Sequence, residues 1–336
     1  MTKRTGRYTF TFDSHPKILS FAAVAGPKES EGPLGECFDK IFYDPKVLMN
    51  SWEQAESEFQ KEALSLAIKK AEAKGEDLDF IFAGDLLNQC ISSSYGLKDF
   101  SIPYLGQYGA CSTMAQSLIM GAITLESGVG RLCGCVTSSH FCSAERQYRF
   151  PLEYGGQRTP TAQWTVTGAG SCLLGYAKHP APCITRACVG RILDAGVKDS
   201  ANMGAAMAPA AAQTLCDFLS DSGQSVLDYD RIFTGDLGLV GSDILYTLCK
   251  EQGHDLRQNH SDCGLLIYDR QKQDVHAGGS GCGCAASVLC GHILPSMAAG
   301  KLKKILFIAT GALMSSTSSQ QGLSIPCIAH LVEISI

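Results

Sequence analysis

Residues 109–139 read GACSTMAQSLIMGAITLESGVGRLCGCVTSS, and residues 281–313 read GCGCAASVLCGHILPSMAAGKLKKILFIATGAL. Each begins with a glycine-bearing turn, continues as an apolar helix rich in small residues, stops at a glycine and passes into an apolar strand. The step from Cys111 to Gly128 is 17 residues, and that from Gly283 to Gly300 is also 17. The sequence before each unit repeats too: DFIFAGDL at 79–86 is echoed by DRIFTGDL at 230–237. A repeat that keeps order and spacing reports architecture. Strands alternating with helices predict an α/β chain with mostly parallel sheets. The helices at 113–123 and 285–298 lack the polar stripe of a helix that covers one face only, so both are expected between two sheets. The expected fold is a duplicated, layered αβαβα sandwich, with an N-terminal half at 1–180 and a C-terminal half at 181–336.

The remaining elements fit this plan. ILSFAAVAG at 18–26 reads as a strand. Asn50 or Ser51 can cap a helix running to about Lys74, with Gly75 as its stop. Strands are expected at 79–84, 131–139, 164–177 and 185–193, and a helix from Met203 to Leu219.

Composition sets outer limits. The chain has 336 residues, 45% hydrophobic and 18% charged, which excludes a disordered polymer. Its net charge of -5 and the absence of any Lys/Arg run argue against a nucleic-acid partner. MTKRTGRYTFTFDSH has no apolar core of signal-peptide length, so the sixteen cysteines are expected as thiols in a reducing compartment. Cys133/Cys135 and Cys282/Cys284 are CxC pairs without zinc-finger spacing, and no metal or cofactor is expected. Cys133, Cys135, Cys172, Cys216 and Cys249 read as small core residues. The longest apolar run, ILFIATGALM at 305–314, is too short to span a membrane.

A strand, a Gly-Ala-Cys turn and a buried helix, duplicated about a pseudo-twofold axis, resemble the thiolase fold. At finer grain, FIFAGDLLNQCISSSYGL (80–97), YGACSTMAQSL (108–118), TSSHFCSAERQYRFPLEYGGQRTPTAQWTVTGAG (137–170) and IPCIAHLVEISI (325–336) resemble the stage V sporulation protein AD family. The resemblance covers essentially the whole chain. It implies binding of dipicolinic acid (pyridine-2,6-dicarboxylate), alone or as its calcium chelate, and its movement into the forming spore and out at germination. It further implies a homodimer that works with the other membrane proteins of the spore dipicolinate channel and reaches the spore inner membrane only through them.

Thiolase-fold condensing enzymes place a nucleophilic Cys at a buried helix start, and Cys111 matches that position. Backbone N–H groups and the helix dipole there are expected to favour a thiolate. The second-half partners depart from the family pattern. Asp236 stands where the first His is expected, and Cys282 where Asn or His is expected. Val166-Thr-Gly168-Ala-Gly170 keeps the glycines of a family turn and lacks its Asp. A thiol without an imidazole has no general base. The first reading is therefore a non-catalytic binder. An acyl-CoA-dependent condensing enzyme using Cys111 and a docking scaffold with a vestigial pocket are the alternatives. The expected ligand contacts start from the helix N-terminus, with Cys111 and Ser112. Ser138, Ser139 and His140 sit together at a strand's carboxyl end, where open α/β sheets bind ligands. Arg146 and Arg149 could clamp a carboxylate, or pair with Glu145 or Glu153. Asp85, Asn88 and Asp236 could complete an oxygen shell around a calcium chelate, or simply cap helices. Gly311 completes the candidate set.

Overall fold

The computed structural model describes residues 3–148 and 158–336. Two five-stranded sheets carry the fold. The N-terminal sheet contains β1 (Lys17–Ala25), β2 (Phe80–Gly84), β3 (Tyr104–Gly106), β4 (Leu132–Ser139) and β5 (Gly168–Gly175), in the order β3-β2-β4-β5-β1. The C-terminal sheet contains β6 (Cys183–Val189), β7 (Arg231–Thr234), β8 (His260–Asp262), β9 (Lys304–Ala312) and β10 (Cys327–Ser335), in the order β8-β7-β9-β10-β6. The two orders are the same, strand for strand. A single bridge, Lys17 to Cys183, joins the sheets at one corner. The hairpin Lys3–Thr5/Thr9–Thr11 adds to β6, so the first residues of the chain belong spatially to the C-terminal sheet.

The expectation of mostly parallel sheets is corrected. β2 pairs in parallel with β3 and β4, but β4–β5 and β5–β1 are antiparallel. The C-terminal sheet repeats this mixture. β4 and β9 each have a parallel neighbour on one side, which requires a crossover connection, and an antiparallel neighbour on the other, which does not.

The helices that matter here are α1 (Trp52–Lys70), α2 (Ile91–Leu97), α3 (Thr113–Glu126), α4 (Phe141–Tyr148), α5 (Met203–Ser222), α6 (Gly238–Glu251) and α7. The last begins as Cys282–Val288, passes through a π-turn at Leu289–Ile293 and ends as Leu294–Ala298. α3 and α7 lie between the sheets, and their Met114, Leu118, Ala122, Ala285, Val288 and Ile293 share one core with both inner faces. α1 buries Phe59, Ala63 and Ala67 on the outer face of the N-terminal sheet, and α5 packs on the outer face of the other. A Cβ on Gly170 would stand 2.3 Å from the Ala286 oxygen, so glycine is what lets α7 rest directly on β5. Ser51 caps α1 as expected, accepting from Gln54 N. The helix ends at Lys70 rather than Lys74, because Glu72 takes φ 53 and turns the chain. Gly75 then opens a separate one-turn 3-10 segment instead of serving as a stop.

All sixteen cysteines are free thiols, and thirteen are buried, which makes them small fillers between close-packed layers. Among the described residues no helix is long and apolar enough to cross a membrane.

Candidate functional site

α3 is preceded by a tight 3-10 turn, Ala110–Ser112, with Ala110 at φ 51. The turn is wedged against the end of β9. A Cβ on Gly311 would meet Gly109 O at 2.3 Å, so Gly311 serves close packing and has no side chain to offer a ligand. The hydroxyls of the turn are spent locally. Ser112 donates to Gly109 O at 2.6 Å, and Thr113 to Ala110 O at 2.6 Å.

Cys111 faces a cleft with about 490 Å³ of free space, part of it open to solvent. Leu86, Ala144, Ala312, Met203, Met207 and Met314 form apolar walls, and Cys111, Tyr148, Thr165 and Ser280 add polar atoms. Among the described residues no Lys, Arg or His lines it. Three of its hydroxyls already donate elsewhere: Tyr148 to Leu86 O, Thr165 to Glu145 at 3.3 Å and Ser280 to Asp236 at 3.2 Å. The lining therefore offers lone pairs more readily than protons.

Asp236 leaves the carboxyl end of β7 and is fully buried against Cys111. Its carboxylate accepts from Gly281 N at 2.8 Å and from the hydroxyls of Thr310 at 2.8 Å and Ser280 at 3.2 Å, and the Cys111 thiol lies beside it. Burial pushes the Asp236 carboxyl above its ordinary range. Burial first, then the charge of Asp236, hold the Cys111 thiol well above an ordinary cysteine. The expected thiolate is thus corrected. Burial favours the neutral thiol, and an acidic neighbour opposes the partial positive charge, roughly half a unit, of the helix N-terminus.

Cys282 begins α7 as Cys111 begins the segment into α3. Its thiol is also fully buried and donates to Ser138 O at 2.9 Å. Behind it lies a polar network on the outer side of the N-terminal sheet. Glu56 accepts from Ser138 at 3.0 Å and Ser143 at 2.7 Å, and Gln60 donates to Gly84 O, Ser93 and Ser138. Asp85 accepts from Leu87 N, Ser93 N and the Ser93 hydroxyl at 2.7–2.8 Å. It braces the turn into α2 and does not reach the cleft. Burial, then the Asp85 charge, raise Glu56 to about 8.

Strand alternation decides the fate of the 137–140 cluster. Thr137 and Ser139 face inward, bonding Cys282 O and Val166 O, with Ser139 also accepting from Gly283 N. Ser138 and His140 face outward toward α1. His140 Nε2 donates to Pro45 O at 2.8 Å, its Nδ1 accepts from Cys142 N, and its ring packs on Trp52 and Phe59. Burial pushes its pKa down, and it is a satisfied core histidine. Arg146 is exposed and pairs with Glu53. Arg149 and Glu153 lie outside the described residues. Asn88 is exposed and ties the β2–α2 turn to Tyr108 and Gln147. Of the expected set, the cleft gathers Cys111 with Asp236 behind it. Sequence reasoning missed Leu86, Ala144, Tyr148, Thr165, Met203, Met207, Ser280 and Met314. The one available signal was Met203 and Met207, a helical turn apart at the start of α5.

Residues 6–335 match the family described as Stage V sporulation protein AD (SpoVAD). The chain is 42% identical over 328 residues to the stage V sporulation protein AD of Bacillus subtilis (strain 168), covering 98% of this chain and 96% of that protein. Among solved structures it resembles 3-oxoacyl-[acyl-carrier-protein] synthase III from Aquifex aeolicus VF5, with TM-score 0.58, 11% identity, and 96% and 100% of the two chains covered. It also resembles cerulenin-bound Xanthomonas campestris OleA, with TM-score 0.62, 15% identity and full coverage of both chains. At such identities the structural likeness speaks for the fold, a thiolase-type condensing scaffold.

Proposed function

Because this chain belongs to the stage V sporulation protein AD family and has the thiolase fold, we propose that it is a non-catalytic receptacle for dipicolinate. It would take the acid or its calcium chelate at the Cys111 cleft, for uptake into the developing spore and release at germination. The observation that carries this reading is the Cys111–Asp236 contact in a cleft whose described lining holds no imidazole. Condensation needs a thiolate, a base and donors aimed at a developing oxyanion. Here the thiol is kept protonated, and the nearest titratable group would repel the oxyanion.

The cleft chemistry also selects the form of the ligand. A flat ring suits the methionine and alanine walls. A bare dianion does not suit lone pairs backed by Asp236. The ligand must therefore arrive with its charge neutralised, as the protonated acid or with a calcium ion held between its carboxylates. Equal calorimetric affinity for dipicolinate with and without calcium would count against the chelate.

The exposed edge of the N-terminal sheet supports a homodimer. Tyr104 and Leu105 on β3 stand uncovered beside Tyr95 and Tyr108, whereas the equivalent strand β8 is largely buried. An unpaired apolar edge is a template for a second strand. Sedimentation of the purified chain checks this. Association with the spore inner membrane would run through membrane partners.

The central test is calorimetry beside intact-mass measurement. Saturable dipicolinate binding that Met207→Trp abolishes, with no mass adduct after incubation with acyl-CoA, is expected. A stable acyl adduct that disappears in Cys111→Ala would overturn the reading in favour of a condensing enzyme.

A further inference from the structure

The duplicated halves differ at one place far from Cys111. In DFIF, Phe80 stacks on Phe82 with ring centroids 6.3 Å apart, and both rings pack into the core between the sheets. That corner of the N-terminal half is filled with hydrocarbon. In DRIF the equivalent of Phe80 is Arg231, whose guanidinium is exposed and donates to Gln258 O at 3.3 Å. A charged group cannot fill the corner as Phe80 does. A cleft opens instead at the amino-terminal end of β7. It has about 630 Å³ of free space, partly open to solvent, with Phe233, Leu266 and Leu302 among its walls.

Two more basic side chains line it. His292 sits in the π-turn of α7, a device that adds a residue to one helical turn and is frequent at functional sites. Lys301 follows the helix end, where Gly300 takes φ 72 and Lys301 N donates to Ser296 O at 2.9 Å. The last carbonyls of α7 are capped in this way, by Ala299, Gly300 and Lys301, so they present little bare negative charge. Among the described residues neither Arg231 nor Lys301 is ion-paired, and the one charged neighbour acting on His292 is the cation Lys301.

We propose that this cleft is a second binding site, for a small organic anion that joins carboxylates to an apolar body. Arg231 and Lys301 would meet the carboxylates, and Phe233, Leu266 and Leu302 the hydrocarbon. It lies at the end of the sheet opposite Asp236, and it does not rest on what the Cys111 cleft binds.

The probe is isophthalate (benzene-1,3-dicarboxylate), titrated into the full chain by calorimetry with inorganic phosphate as the comparison anion. Expected is saturable isophthalate binding that falls tenfold or more in Lys301→Gln and in Arg231→Gln. Met314→Trp, which fills the Cys111 cleft, should leave it unchanged. Both basic residues are exposed, so the melting temperatures of their variants should match the parent and separate lost binding from lost fold. The proposal is overturned if isophthalate does not saturate, if Lys301→Gln binds it like the parent, or if phosphate binds as tightly. A failure of dipicolinate to bind the Cys111 cleft would leave these outcomes unaltered.

Discussion

Cys111 and Cys282 open the two central helices of a duplicated fold, and they have opposite surroundings. Cys111 faces an open cleft and is backed by Asp236 from the C-terminal half. Cys282 is sealed, with its proton directed at Ser138 O and the Glu56–Asp85 network behind it. The scaffold supplies the same helix start twice. What each thiol can do is set by the acid beside it and by whether anything can reach it. Neither is backed by an imidazole among the described residues, so the duplication has produced one open cleft and one closed joint.

The largest effect should come from the closed side. The Glu56 pKa is raised to about 8 in the folded chain from an ordinary 4.5, so the folded form holds a proton that the unfolded form releases between those values. The contribution of Glu56 to the unfolding free energy therefore falls as pH rises from 4.5 to 8, by on the order of 4 kcal/mol. In urea unfolding between pH 5 and 8.5 the parent curve should fall more steeply with pH than that of Glu56→Gln. Parallel curves for the two proteins over that window would break the contrast.

A smaller effect belongs to the open side. Asp236→Asn removes the charge that helps hold the Cys111 thiol protonated. Alkylation of Cys111 between pH 7 and 9, followed by peptide mass, should quicken about tenfold, equivalent to about 1.4 kcal/mol. Cys282 should remain unmodified in both proteins. An unchanged Cys111 rate would mean that burial alone governs it.

The smallest effect tests a residue outside both regions. Arg146 pairs with Glu53 at the surface. Arg146→Ala should cost less than about 1 kcal/mol in unfolding and leave dipicolinate calorimetry unaltered. A tenfold loss of binding would bring Arg146 back to the ligand.

Much of this molecule was legible as text. The two Gly-Cys helix starts, the paired GDL turns and the stripe-free central helices gave the layered duplication. The choice of Cys111 among the cysteines came from its match to the nucleophile position of the resembling family. His140 was misjudged because adjacency in sequence is not adjacency in space on a strand: Ser138 and His140 share the face opposite Ser139. Arg146 sat on a helix whose outer face was unknown until α1 and Glu53 packed beside it. The methionine walls come from the start of α5 and the loop after β9, which sequence spacing does not bring together.

The sequence by itself determined the principal elements of the repeat and that they occur twice. Those properties are local, written in spacing and residue type. Tertiary structure alone decided that Asp236 touches Cys111, that Asp85 does not reach the cleft, and that Cys111 is a thiol rather than a thiolate. Face, burial and proton affinity depend on groups that are distant in the chain and meet only when the layers close.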